Sequence, residues 1–166
     1  TANVYNGGRS EEAVGEALVR NGSRDSVFLA TKVHGRMGDA PNDLGNSRLH
    51  IIQQCEASLR RLQTDRIDLY FLHAPDPAVP LCESAGGLKE LLVAGKILSV
   101  GVSNFSVAQM EEFSLVCPIA ASQPHYNMLQ REIEASHLPW CRAHDVSVMV
   151  YWVLLKGLLA GHLSRD

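Results

Sequence analysis

The sequence predicts an α/β fold of the parallel type, an incomplete (β/α)8 TIM barrel, and three observations predict it. Short apolar runs alternate with amphipathic stretches from end to end, at spacings near the ~30 residues of one βα unit. The apolar runs stop abruptly at polar or aromatic residues, as strands buried on both faces of a parallel sheet do at the rim. Neither G-x-G-x-x-G nor G-x-x-x-x-G-K-[ST] occurs, so the glycine-rich phosphate turn usual in a doubly wound sheet is missing. A closed barrel needs eight strands and typically ~250 residues, so 166 residues supply only part of one.

Taken in order, Ser10 is placed to cap a first helix. Glu11 and Glu12 suit its dipole, Ala13, Val14, Ala17 and Leu18 form an apolar face, and Asn21-Gly22 stops it. Residues 26–32 read as a buried strand ending on a lysine. A loop rich in Gly, Pro and Asp covers 33–45, long enough to be functional. Asn46 or Ser47 starts the strongest helix, in which Leu49, Ile52, Cys55, Leu59 and Leu62 recur at three- and four-residue steps. The most apolar strand, 67–73, ends at His73 and is cut by Pro75 and Pro77. A helix over 84–94 closed by Gly95, a strand over 97–102 and a short helix over 107–114 follow. A strand over 119–123, a helix over 132–144 and a strand over 146–151 complete the alternation. No linker, low-complexity tract or repeat divides the chain, so 1–166 is read as one domain.

Composition narrows the function classes. A net charge of −3 gives no reason to expect nucleic acid or an anionic membrane as partner. No apolar run approaches the ~20 residues of a bilayer span, and no signal layout opens the chain, so a cytoplasmic protein is expected. Cys55, Cys82, Cys117 and Cys141 are far apart and read as free thiols of a reducing compartment. The opening without methionine and the end soon after an apolar segment predict a piece of a longer protein.

The predicted strand ends carry Lys32, His73, Ser103-Asn104, Gln123 and Tyr151-Trp152, and Tyr5 precedes the first helix where an earlier strand would exit. Chance placement would give one or two such groups on a rim. A tyrosine with pKa ~10 exchanges protons poorly near neutrality, but a nearby ammonium favours its phenolate and a histidine can orient a carbonyl oxygen. Together these groups can protonate a carbonyl oxygen as hydride reaches its carbon. The hydride must come from a nicotinamide.

On these residues the chain resembles the aldo-keto reductase family. The matching pieces are Thr1-Ala-Asn-Val-Tyr5 before Gly7-Gly8-Arg9-Ser10-Glu11, Thr31-Lys32, Leu72-His73-Ala74-Pro75-Asp76-Pro77, Gly101-Val102-Ser103-Asn104-Phe105, Gln123 through Asn127, and Tyr151 through Gly161. The Leu-His-Ala-Pro-Asp stretch resembles the aflatoxin aldehyde reductase branch. The resemblance implies roughly barrel strands 3 to 7 with their helices, plus the loop following strand 2. It implies NADPH-dependent reduction of aldehydes or ketones, with NADP as cofactor, a small carbonyl substrate and no metal. Tyr5 would be the general acid, Lys32 would lower its pKa, and His73 would orient the carbonyl. Ser103, Asn104 and Gln123 would hold the nicotinamide carboxamide and Tyr151 would stack on the ring. The loop 152–161, with Trp152, Leu154, Lys156, Gly157 and Gly161, would lie along the pyrophosphate.

Three departures accompany the resemblance. The family's tetrad aspartate would fall one position before Thr1, leaving Lys32 without its counter-charge. The usual 2′-phosphate contacts would lie beyond the C-terminal end, which predicts impaired binding. Val153 stands where the family usually has proline, restoring an N–H. A non-catalytic nicotinamide-binding or interaction module is the alternative, since potassium-channel β-subunits also resemble this family. Gly101-Val-Ser-Asn-Phe lacks the second glycine of a nucleophile elbow. His137 and His144, seven apart on a predicted helix, read as a surface pair without a third metal ligand.

Overall fold

In the computed structural model, which describes residues 1–161, five parallel strands form one sheet in unbroken chain order. They are β1 (Ala30–Val33), β2 (Leu69–Leu72), β3 (Val100–Ser103), β4 (Ala121–Gln123) and β5 (Ser147–Val148). The strand order never reverses, so the sheet has none of the switch points that define a doubly wound fold. Right-handed crossovers between consecutive parallel strands put every helix on the same face. Those helices are α1 (Arg9–Asn21), α2 (Arg48–Leu62), α3 (Leu81–Val93), α4 (Val107–Ser114) and α5 (His137–Ala143). The result is a segment of barrel wall. Among the described residues no helix is long and apolar enough to cross a membrane.

Side chains alternate across the wall with the period of two that any strand imposes. Val33, Tyr70, Leu72, Val100 and Val102 face the helices and join the main core with Ile51, Leu62, Leu88 and Phe113. Leu69, Phe71 and Ala121 face the other way and form a second cluster with Ala30. Register runs Lys32 to Phe71, Phe71 to Gly101, and Gly101 to Ala121, which defines one inward layer. Gly101 is needed in it, because a Cβ there would sit 2.4 Å from the Phe71 ring.

On the outer side a buried carboxylate ties three elements together. Glu11 is fully buried, accepts from Thr31 Oγ1 at 2.5 Å and pairs with Arg61 Nε at 2.7 Å. Gly15 lets α1 approach α2, since a Cβ there would meet the Arg61 carbonyl at 2.5 Å. Cys55, Cys117 and Cys141 are buried, Cys82 is exposed, and all four are free. Burial pushes the Cys55 thiol up to about 12 and the Cys117 thiol up to about 11.

Several element boundaries differ from expectation. The first helix starts at Arg9 behind Gly8, and Ser10 spends its hydroxyl on Thr1 Oγ1 at 2.7 Å instead of capping. The stretch 26–29 precedes the strand, because Arg24–Ser26 forms a 3-10 turn and Phe28 is exposed. The helix expected over 132–144 breaks into a 3-10 turn, Glu132–Glu134, and α5, with extended φ (−141°) at Ser136 between them. The last strand shortens to Ser147–Val148, with an isolated bridge from His125 to Tyr151 beyond it.

Gly101→Ala is expected to destabilise the chain by ~1–3 kcal/mol, the usual cost of overpacking, measured by denaturant unfolding. Adding Phe71→Leu should recover part of that loss. Full additivity of the two losses would show that the ring and the glycine are not in contact.

Candidate active site

Tyr5 is delivered to the rim by the opening residues, which run along the edge of β1. Thr1 donates its amine to the Ala30 carbonyl and Asn3 its amide to the Lys32 carbonyl, both at 3.0 Å. The chain then doubles back through Asn6, Gly7 and Gly8, all at positive φ (50°, 62° and 96°). A Cβ on Gly8 would also lie 2.8 Å from Arg61 Cδ, so glycine is required twice over.

That turn brings Tyr5 edge-on to His73, with ring centroids 5.6 Å apart and Oη 3.5 Å from Nε2. The gap is long for a hydrogen bond, and a carbonyl oxygen set to one side of the pair, at the apex of a triangle, would be in reach of both groups. Lys32 lies behind the phenol, its Nζ 5.2 Å from the ring centroid and donating to the Thr1 carbonyl at 2.8 Å. Thus the partner of this ammonium is a main-chain oxygen. Burial lowers the Lys32 pKa from its ordinary value. Burial also pushes His73 down to about 4, helped by the positive charge of Lys32, so the imidazole is neutral near pH 7.

Asn104 cross-links the rim from a left-handed position (φ 63°) that asparagine tolerates. Its Nδ2 donates to the His73 carbonyl at 3.0 Å and to Ser103 Oγ at 3.1 Å, while Oδ1 accepts from Tyr151 Oη at 2.5 Å. Ser103 Oγ donates to the Gln123 carbonyl at 2.8 Å. Burial raises the Tyr151 pKa, which keeps its proton available for Asn104.

The structure brings Tyr5, His73, Ser103, Asn104, Gln123, Tyr151 and Trp152 around one cavity of about 450 Å³. Lys32 supports it from behind Tyr5. Lys156 reaches Trp152, its Nζ 4.3 Å from the ring centroid. Leu154 instead lines a neighbouring cavity of about 600 Å³ with Tyr126, Met128 and Arg131. Gly157 and Gly161 are exposed at left-handed φ of 97° and 75° and line neither. Among the described residues no three His, Cys, Asp or Glu side chains are grouped to hold a metal. His137 is not a surface residue: it is buried, with Nε2 2.9 Å from Ser122 Oγ, while His144 stacks on Trp140. One neighbour went unremarked in the sequence. His34 follows Lys32 by two, the spacing that places both on one face of a strand.

A parallel β/α wall in unbroken strand order, with a phenol, an ammonium and a neutral imidazole gathered at its carboxyl rim, defines a class, the (β/α) barrel proteins. The chain belongs to the aldo/keto reductase family, whose model matches residues 1–166. It is 45% identical over its full length to the aldo-keto reductase YhdN of Bacillus subtilis, covering 50% of that protein. It is 35% identical to an Escherichia coli NADH-specific methylglyoxal reductase, over 100% of this chain and 55% of that one. The solved glycerol dehydrogenase AKR11B4 of Gluconobacter oxydans superposes with a TM-score of 0.92 at 40% identity, over 100% of this chain and 52% of that chain. The chain therefore spans about half the length of the curated relatives it matches, in keeping with an incomplete barrel.

The His73 imidazole should titrate near pH 4 by NMR, against an ordinary value near 6.5. Between those values the unfolded chain binds the extra proton and the folded chain does not. Stability should therefore fall as pH drops through that window. A midpoint near 6.5 would contradict the burial of this ring beside Lys32.

Proposed function

We propose that this rim is the carbonyl-reducing site of an NADPH-dependent aldo-keto reductase, acting on aldehydes or ketones in the cytoplasm. The meeting of Tyr5, Lys32 and His73 beside one cavity carries the reading. The donor set fits a nicotinamide: an aromatic face on Tyr151, and hydroxyl and amide groups on Ser103, Asn104 and Gln123 to hold the carboxamide. Trp152, Leu154, Lys156, Gly157 and Gly161 would follow the rest of the dinucleotide. When bound there, nicotinamide supplies the hydride that no side chain can.

The chain's own residues perform the proton chemistry. His73, in the neutral tautomer that carries its proton on Nε2, donates a hydrogen bond to the substrate oxygen and fixes its direction. Tyr5 Oη gives its proton to the same oxygen as charge develops there. Lys32, held by the Thr1 carbonyl, stabilises the phenolate that remains. Asn104 holds the His73 backbone and Tyr151 in one frame, so the two sides of the cavity keep their spacing. Relatives named as a methylglyoxal reductase and a glycerol dehydrogenase support a small carbonyl–alcohol pair as substrate class. One relative is named NADH-specific, so the proposed preference for NADPH is tested with both nucleotides.

NADPH should quench Trp152 fluorescence, and aldehyde turnover should accompany the quenching. Quenching without turnover across a panel of aldehydes would favour a non-catalytic nicotinamide-binding module. In a chain that carries the complete barrel, Tyr5→Phe should abolish turnover while leaving NADPH affinity within about twofold, because its hydroxyl acts only in proton transfer. Normal turnover in that variant would remove Tyr5 from the mechanism. Lys32→Met should lower kcat by about 10²-fold or more, and an unchanged rate and pH profile would exclude its role.

A further inference from the structure

The ladder between β4 and β5 runs on past both strands, and a side chain takes it over at the last step. Tyr151 donates its amide to the Pro124 carbonyl and Tyr126 donates its own to the Tyr151 carbonyl, both at 3.2 Å. One residue further on, the Trp152 carbonyl accepts from Asn127 Nδ2 at 3.3 Å and from the Leu155 amide at 2.8 Å. Asn127 is buried, and each half of its amide is committed. Its Oδ1 accepts from the Leu129 and Gln130 amides, both at 3.0 Å, which closes a turn on its own side. With the oxygen fixed by two N–H donors, the amide nitrogen must face the other way, toward the Trp152 carbonyl and Gln130 Oε1, the latter at 2.9 Å.

What Asn127 holds is a strained link. Trp152 has a left-handed φ of 55°, and Leu155 and Lys156 follow at 44° and 52°. A bulky L side chain keeps that conformation only where its surroundings impose it. The left-handed residue turns the chain between two cavities. Trp152 lines the rim cavity with Tyr5, His73 and Asn104, whereas Val153 and Leu154 line the neighbouring one with Asn127 itself. The indole, with Lys156 Nζ over it, therefore owes its place at the rim to the setting of its own backbone.

The geometry points to Asn127 as a positioning residue: its amide straps the Trp152 carbonyl, holds that residue left-handed and so keeps the indole on the wall of the rim cavity. The inference rests on reading that cavity as a nicotinamide nucleotide site. Asn127 is not among the residues that line it, so it acts only through Trp152. Were Trp152 to relax to an ordinary negative φ, the indole would leave the wall and a bound nucleotide would lose an aromatic neighbour.

Two variants separate the strap from the turn. Asn127→Asp keeps an oxygen for the Leu129 and Gln130 amides and has no donor for Trp152. Asn127→Ser keeps a hydroxyl acceptor for the turn, carries no charge and is too short to reach across. In NMR spectra of the unsubstituted chain, Trp152 should show the strong amide–Hα cross-peak within the residue that positive φ produces. Its indole N–H resonance should move on titration with NADPH. Both variants should lose the cross-peak and keep the slow exchange of the Leu129 and Gln130 amides. Both should also need about fivefold more NADPH for half-saturation, the size of one net hydrogen bond. Agreement between the charged and the neutral variant excludes repulsion as the cause. A Trp152 that stays left-handed in both variants, loss of the turn in both, or an unchanged half-saturation in a chain that NADPH does titrate would each overturn the assignment. An indole that ignores NADPH in the unsubstituted chain, beside a left-handed signature that both variants abolish, would leave the strap standing and count against the nicotinamide reading alone.

Discussion

Lys32 pairs with Phe71, and Phe71 with Gly101, across three parallel strands, and the candidate site depends on that register. The missing side chain at Gly101 makes room for the Phe71 ring, which closes the interior one layer below the rim. With that layer in place, the next inward positions are His73, Ser103 and Gln123, two residues further along three neighbouring strands. A slip of one residue in any of them would turn its functional group into the helical layer. The packing of the wall and the composition of the rim are therefore one constraint.

Charge follows from the same arrangement. Lys32 has little access to water and is satisfied by a peptide oxygen, and His73 sits neutral beside it. A protonated imidazole would place a second positive charge next to the ammonium in a desolvated site, so burial and repulsion act together. The bulk of the polar bonding around them is to backbone: Thr1, His73 and Gln123 all contribute carbonyl oxygens. Such partners move only with the strands, which gives the rim its fixed geometry.

The alternation of apolar runs and amphipathic stretches was enough to read parallel strands, helices on one face and a polar rim. The apolar run ending at His73 and the periodic helix at Arg48–Leu62 were legible because their signals are long and bounded by chain breakers. The start of α1 was not, because a left-handed Gly8 outcompetes Ser10 through its close approach to Arg61. The break at Ser136 and the burial of His137 against Ser122 depend on tertiary contacts that no local pattern carries. Cavity membership divided the loop after Tyr151 in a similar way: Trp152 faces the rim, whereas Leu154 turns to a neighbouring hollow. His34 has no strand signature of its own, because it lies past the apolar run, in a stretch whose glycines and prolines read as loop.

The candidate site exists only if three residues remote in sequence converge, and a NOESY spectrum of the chain in solution tests that convergence most directly. Tyr5 ring protons should show cross-peaks both to the His73 imidazole and to the Lys32 ε-methylene, in accord with separations of 5.6 Å and 5.2 Å from the phenol centroid. Assigned spectra in which Tyr5 contacts neither side chain would place the phenol away from the rim and contradict the site itself.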